Sequence, residues 1–387
     1  MSKRDLKECK RFEQELHAKL LLFEQAREWA DLSNVLMALH KIFSKENLNG
    51  EQFSEAFYQR RLARSQMKRT LGRRLAQCLN AQLPSGVHLN TLRIYDSIFS
   101  QIGSDGLVQD LGIYSSGLFP HVANCGKTVQ AAAICLTLIF LEKHYLPLKT
   151  RLEPCLTGLI TALLPIMEDE GNPNNPKVLD LFKKLVEGVG DATFCSTLWL
   201  LLLKTPKIRL PGIRLLRIIN NFIILILLSI KYLSSSKVHR SWGLVLQTLE
   251  LLLEDSNQLV QRGILDFIAQ FMPLRSRVLW GGHNVRLLRA ILALLRQNDG
   301  SLNRRIVFLL TSRYDDFGKM DAAARTYFER HVHGTLMAVA TLSSTTPSSS
   351  PISTSYCLRI ITCLLQEVEE IKSRIVPELS IPVLLYL

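Results

Sequence analysis

The 387-residue sequence lacks the short motifs that mark most catalytic and cofactor sites. It contains no G-x-G-x-x-G, G-x-S-x-G or H-E-x-x-H motif. The "CGKT" at residues 125–128 is not a Walker A loop, because His121 stands where that loop needs its first glycine. The eight cysteines form no C-x-x-C pair, and His121/Cys125 and His331/His333 are isolated pairs. We therefore expect no cofactor and no bound metal.

The sequence also lacks the segments that take a chain out of the cytosol. The start, "MSKRDLKECKRFEQ", is charged where a signal peptide needs an apolar stretch, and the scattered cysteines are typical of reduced thiols. The apolar run at 218–230, "IINNFIILILLSI", is shorter than the roughly 20 residues of a spanning helix. It predicts a buried core helix instead of a membrane span. These features predict a cytoplasmic protein.

Strand-like alternation is nearly absent, and apolar residues recur at helical spacing along most of the chain. This pattern predicts an all-α fold. In "LLLFEQAREWADLSNVLMALHKIF", one continuous stripe predicts a core face that includes Trp29. The residues of that stripe are Leu22, Ala26, Trp29, Leu32, Leu36, Leu39 and Phe43.

An internal repeat refines the fold class. Residues 251–267 align with 294–310, so that Arg262 meets Arg305 and Asp255 meets Asn298. A repeat length in the forties is typical of HEAT and armadillo proteins, so we predict a HEAT/armadillo-like α-solenoid of stacked antiparallel helix pairs rather than a four-helix bundle. Asp255 and Asn298 are the predicted N-caps of the second helices, and the arginines are predicted to tie neighbouring turns together.

Composition divides the chain into three regions. We predict a helical-repeat region at 8–340, with a hydrophobic insertion near 215–240. A Ser/Thr/Pro-rich linker follows at 341–357, where the composition is that of a flexible segment. Residues 358–387 are expected to begin a further, truncated helical region.

A basic stretch is the first candidate site. Residues 56–95 hold eight lysines and arginines and no acidic residue, in a chain of net charge +13. The stretch is compatible with a solvated helix face, with contact to anionic lipid or an acidic protein, or with nucleic acid. Nucleic acid is not expected, because no aromatic residue interleaves the arginines between Tyr58 and Arg74. The candidate membrane or partner contacts are Arg60, Arg61, Arg64, Lys68, Arg69, Arg73 and Arg74.

The turn after this stretch is the second candidate site. Cys78, His88 and Asp96 could meet as nucleophile, base and orienting acid of a cysteine-dependent hydrolase. However, Cys78 lies on an apolar stripe, where a thiol is usually inert, and His88 follows "PSG", where it can cap the turn. The sequence therefore favours a structural corner between two helices, with no catalytic residue.

Several segments together resemble the amino-terminal region of the Dopey proteins. They are "EWADLSNVLMALHKI", "RRLAQCLNAQLPSGVHLNTLRIYDSIF", "IGSDGLVQDLGIYSSGLFP" and "LVQRGILDFIAQFMPL". The resemblance extends over nearly the whole chain, and its "LAQCLN-x-x-LPSGVH" block is highly specific. It implies a non-enzymatic scaffold or adaptor in vesicle-mediated protein transport, peripheral on Golgi and endosome membranes.

The resemblance also implies partners: an Arf-exchange-factor-like Golgi scaffold, an aminophospholipid flippase and kinesin light chain. The "EWAD" at 28–31 has the form of a tryptophan-acidic peptide for kinesin light chain, but its place on the apolar stripe predicts a buried Trp29. A cysteine-dependent hydrolase and an RNA-binding helical repeat remain the alternatives. The resemblance implies a polar connection where this chain is hydrophobic at 217–240, and a chain that continues far beyond "IPVLLYL". The chain is therefore expected to be a fragment or a truncated relative.

Overall fold

The structure is a computed structural model, and every regular element that it describes is helical. This confirms the predicted all-α class. The described helices fall into two compact units, Met1–Leu201 and Leu202–Leu387. The described residues are 3–26, 28–44, 67–125, 131–219, 236–274, 282–297, 299–311, 322–332 and 334.

The first unit is organised around one long helix, α4, which packs against α2, α3, α5 and α6. Helix α4 bends at Gly103, whose backbone (φ 65°, ψ −178°) lies in a region that is essentially restricted to glycine. The helices are α1 Lys3–Gln25, α2 Trp29–Ser44, α3 Lys68–Cys78, α4 Ser85–Cys125, α5 Ala131–His144, α6 Glu153–Leu163, α7 Asn175–Val189 and α8 Asp191–Lys204, which contains the boundary between the units. Two 3₁₀ turns, Leu146–Leu152 and Leu164–Met167, flank α6.

The second unit has the two-row arrangement of an α-solenoid. Helix α10 packs on α12 in one row, α9, α11 and α13 pack in succession in the other, and α10 packs on α11 across a short turn. The helices are α9 Arg209–Ile218, α10 Ser236–Leu253, α11 Gln258–Phe271, α12 Gly282–Ala293, α13 Gly300–Thr311 and α14 Ala322–His331. This stacking agrees with the solenoid-like class predicted from the repeat.

The helix caps differ from the sequence prediction. Asn257 caps α11, because its Oδ1 accepts the backbone N–H of Leu259 at 2.9 Å. Asp255 is therefore not the cap: it accepts the backbone N–H of Asn257 at 2.8 Å instead. At α13 the backbone N–H of Leu302 donates to Asp299 Oδ1 at 2.9 Å, while Asn298 lies outside the described residues.

Arginines join neighbouring helices of the second unit. Of the two arginines in the repeat, Arg262 reaches a turn as predicted, whereas Arg305 donates at 2.8 Å to Asp266 on α11 itself. Arg209 of α9 donates at 2.6 Å to Asp255, in the turn before α11. Arg262 of α11 donates at 2.9 Å to Asp299, in the turn before α13. Helices α9 and α11 thus each contact the turn that precedes the next helix of their row. We call these two ion pairs the arginine ladder.

The predicted burial of Trp29 is wrong. Helix α1 ends at Gln25 and α2 begins at Trp29, so the continuous stripe of the sequence is broken and Trp29 is 59% exposed. The N–H of Glu28 donates to the Asp31 carboxylate at 3.3 Å, which fixes the start of α2. Farther along α2, Leu36 and Leu39 are buried as predicted.

We expect Trp29→Ala to change the free energy of unfolding by no more than about 0.5 kcal/mol, because an exposed side chain loses little packing. Leu36→Ala, two turns later on the same helix, should cost about 2–5 kcal/mol because Leu36 is fully buried. Urea denaturation followed by circular dichroism compares the two variants. Equal losses would contradict the exposed position of Trp29.

None of the helices in the described ranges is long and apolar enough to cross a membrane. The apolar run at 218–230, predicted to be a buried core helix, lies outside those ranges from Asn220 onward. The linker at 341–357 and the helical region at 358–387 also lie outside them. The regional boundaries at 8–340 and near 215–240 stay predictions.

Candidate functional site

Helix α3 packs closely on the second half of α4. Two glycines allow the close approach. A Cβ atom added to Gly72 would lie 2.6 Å from the Ile113 side chain, and one added to Gly117 would lie 2.6 Å from the Ala76 Cα. Only helices with these small residues can approach so closely. The contact fixes the position of the turn between α3 and α4.

Two buried histidines close that turn. His88 Nε2 lies 2.7 Å from the Asn80 carbonyl oxygen, and His121 Nδ1 lies 3.2 Å from that of Leu79, which is the C-cap residue of α3. Their rings meet edge to face with centroids 4.7 Å apart. The prediction that His88 caps the turn is confirmed. Burial and the neighbouring His88 lower the pKa of His121 to about 4, so His121 is neutral at pH 7.

The predicted alternative of a catalytic Cys78, His88 and Asp96 is wrong, because the three side chains have separate surroundings. Burial raises the pKa of the Cys78 thiol to about 12, against the attraction of Arg74, so the thiol stays protonated. His88 is bonded to the turn, and Asp96 Oδ1 lies 2.6 Å from both Lys143 Nζ and His144 Nε2. These residues do not assemble a cysteine hydrolase.

Asp96 instead joins α4 to α5. Burial is the largest single influence and opposes ionisation of Asp96, but the hydrogen bonds and charges of Lys143 and His144 together outweigh it and lower the pKa of Asp96. Burial lowers the pKa of His144, against the opposing effect of the Asp96 carboxylate. Sequence analysis missed this cluster, since Asp96 and its partners are more than forty residues apart.

The basic stretch is only partly described, because Arg60, Arg61 and Arg64 lie outside the described residues. Of the remainder, Lys68 is structural as well as basic: its Nζ donates at 2.7 Å to Asp110, which is 4% exposed on α4. The aspartate was not expected from the sequence.

The arginines of α3 are more accessible than Lys68. Arg69 and Arg73 are exposed and make no ion pair within the part of the chain that the structure describes. Arg74 donates to Gln77 at 3.2 Å. Arg69 and Arg73 are therefore available for an anionic ligand, and the membrane or partner role of the whole cluster stays a prediction.

The described helices hold no group of three or more His, Cys, Asp or Glu side chains that could bind a metal ion. In the His121/Cys125 pair, the His121 ring is engaged with the Leu79 carbonyl. His333 and the "GKT" at 126–128 lie outside the described residues. The site is therefore a closely packed corner between α3 and α4, with exposed arginines on α3.

Comparison with known proteins identifies the family of this chain. The family model described as "Dopey, N-terminal" matches residues 6–315. The chain belongs to the Dopey family. The Dopey match includes the basic stretch, the α3–α4 corner and the arginine ladder, and it confirms the resemblance found in the sequence segments.

Individual Dopey relatives support the assignment. The chain is 34% identical to Protein DOP1B of Xenopus laevis over 297 residues, which is 73% of this chain and 12% of that protein. It is 30% identical to Protein pad-1 of Caenorhabditis elegans over 332 residues, or 81% of this chain and 12% of the relative. Protein DOP1 of Saccharomyces cerevisiae is 31% identical over 211 residues, 53% of this chain and 11% of the relative. The chain thus spans about an eighth of the length of the first two relatives.

Proposed function

We propose that the chain is a non-enzymatic scaffold or adaptor in vesicle-mediated protein transport, peripheral on Golgi and endosome membranes. Membership of the Dopey family is the observation that carries this proposal. The solenoid-like stacking of the second unit supports it, because stacked helical repeats present extended surfaces to other proteins. The separate surroundings of Cys78, His88 and Asp96 remove the specific catalytic alternative.

The proposed partners are those of the family resemblance: an Arf-exchange-factor-like Golgi scaffold, an aminophospholipid flippase and kinesin light chain. The exposure of Trp29 favours the last of these more than the sequence did. Trp29 lies in the first turn of α2, so docking as an extended peptide would require that turn to open. The Trp29→Ala variant tests the contact, because it should lose binding of kinesin light chain while keeping its fold.

The proposed membrane contact is the basic stretch at 60–74, with Arg69 and Arg73 as its described exposed members. A basic side chain near an anionic leaflet contributes about 1 kcal/mol of binding free energy. Reversing both charges in Arg69→Glu/Arg73→Glu should therefore weaken binding to anionic liposomes by at least roughly 30-fold at low salt. Flotation of the purified chain measures this, and binding of the wild type should decrease as salt is added.

A matched control separates a local site from a general effect of charge. Arg289→Glu/Arg304→Glu makes the same charge change at exposed arginines of α12 and α13, outside the basic stretch. We expect this control to float like the wild type. If the α3 variant also floats like the wild type at low salt, α3 does not bind lipid. If both variants lose binding equally, net charge rather than a defined surface controls the attraction.

A further inference from the structure

Helices α5 and α7 are joined by two lysine contacts in the same register. Lys184 Nζ on α7 lies 2.5 Å from Glu142 Oε1 on α5. One heptad earlier, Lys177 Nζ lies 2.7 Å from Cys135 Sγ. In both contacts the partner on α5 precedes the lysine by 42 residues. The thiol of Cys135 thus occupies the position at which the next contact has a carboxylate.

Cys135 differs from the buried cysteines of the same unit. Cys78 and Cys195 are buried, and burial raises the pKa of both thiols. Burial also raises the pKa of Cys155 to about 11. Cys135 is only partly buried, and its Sγ faces the amino group of an exposed lysine. Partial exposure beside a positive charge is the environment in which protein thiols react with oxidants.

The two lysines also differ in a way that matters for chemistry. The hydrogen bonds that Lys184 donates to Asp180 and Glu142 raise the pKa of Lys184, which holds that amine in its protonated, non-nucleophilic form. Lys177 makes no ion pair with a carboxylate among the described residues. Unlike Lys184, the Lys177 amine is therefore not engaged by a carboxylate, and its nitrogen already touches the sulfur.

We propose that Cys135 and Lys177 form a peroxide-sensitive pair that closes a covalent N–O–S bridge between α5 and α7. In the first step hydrogen peroxide oxidises the Cys135 thiol to a sulfenic acid and releases water, a two-electron oxidation of sulfur. In the second step the sulfenic acid, the Lys177 amine and a second peroxide give the N–O–S linkage and two waters. The whole reaction removes four electrons from the pair and reduces two peroxides. Thiol reductants reverse it and regenerate both side chains.

The test is peptide mapping of the intact 387-residue chain, purified in reductant and then treated with hydrogen peroxide. Trypsin digestion without reductant should yield the Cys135 peptide joined to the Lys177 peptide. The joined mass equals the sum of the two peptides plus one oxygen and minus two hydrogens. Cleavage after Lys177 should be blocked in the linked species, and dithiothreitol should restore both peptides.

Three variants make the result specific. Cys135→Ser and Lys177→Arg should abolish the linked species, while Lys184→Arg, at the next contact of the same helices, should keep the wild-type yield. Circular dichroism of each variant verifies that the helices are retained. The proposal is overturned if Cys135 stays reduced, if it proceeds to sulfinic acid without linking, or if the link persists in Lys177→Arg. None of these outcomes bears on the scaffold function.

Discussion

Gly117→Ala is expected to destabilise the first unit by about 2–3 kcal/mol, the upper part of the range for overpacked sites. The added Cβ would lie 2.6 Å from both the Cα and the Cβ of Ala76 and 3.2 Å from the Tyr95 hydroxyl. The obstacle is the backbone of α3, which cannot rotate away as a flexible side chain would. This strain exceeds the gain of about 1 kcal/mol that alanine brings to a helix interior.

Gly112→Ala is the matched control on the same helix. A Cβ at Gly112 would meet nothing within 4 Å, so the substitution should stabilise the protein by about 0.5–1 kcal/mol. Urea denaturation at pH 7 gives both free energies. The decisive feature is the opposite sign of the two changes. If Gly117→Ala is also neutral or stabilising, α3 does not lie directly on α4.

The second large effect concerns acid stability. His121 is 1% exposed, and its pKa in the folded chain is about 4, below the ordinary value of 6.5. The unfolded state therefore binds an extra proton between these two pH values, so stability is fully present above about pH 6.5 and decreases as the pH falls toward 4. A shift of this size corresponds to a loss of about 3 kcal/mol across the interval.

His121→Gln isolates this contribution, because glutamine can still hydrogen-bond the Leu79 carbonyl but does not titrate. Denaturation midpoints measured from pH 7 to pH 4 should fall less steeply for the variant than for the wild type. His283→Gln, at a partly exposed histidine of the second unit, controls for the loss of a histidine as such. Identical pH dependence of wild type and His121→Gln would show that protonation of His121 is not what weakens the fold in acid.

The internal repeat predicted the solenoid-like stacking, and helical periodicity predicted the all-α class, because that class depends on patterns within one or two turns. Helical periodicity was misleading for Trp29. The predicted stripe through residues 22–43 requires one uninterrupted helix. Because α1 ends at Gln25, the helical phase of the apolar residues does not continue into α2. The contact between the Glu28 N–H and Asp31 resembles a capping box, and that local signal marks the start of α2.

The candidate sites show the limit of local patterns more clearly. The basic character of α3 is visible in the sequence, but the aspartate that binds Lys68 lies 42 residues away. His121 was assigned to an isolated pair with Cys125, whereas its ring lies against His88. The cap at Asn257 was missed because "EDSN" contains three acceptable cap residues, and only the backbone path selects among them.

The arginine ladder makes neighbouring repeats of the second unit energetically dependent on one another. Arg209 and Asp255 are both largely shielded from water, with side-chain exposures of 11% and 8%. If the helix that carries Arg209 frayed, the Asp255 carboxylate would be left shielded without its counter-charge, which is strongly unfavourable. The same dependence links Arg262 to the turn before α13. Opening of one repeat therefore lowers the barrier to opening the next, so that this row of helices exchanges its amide protons as one cooperative block.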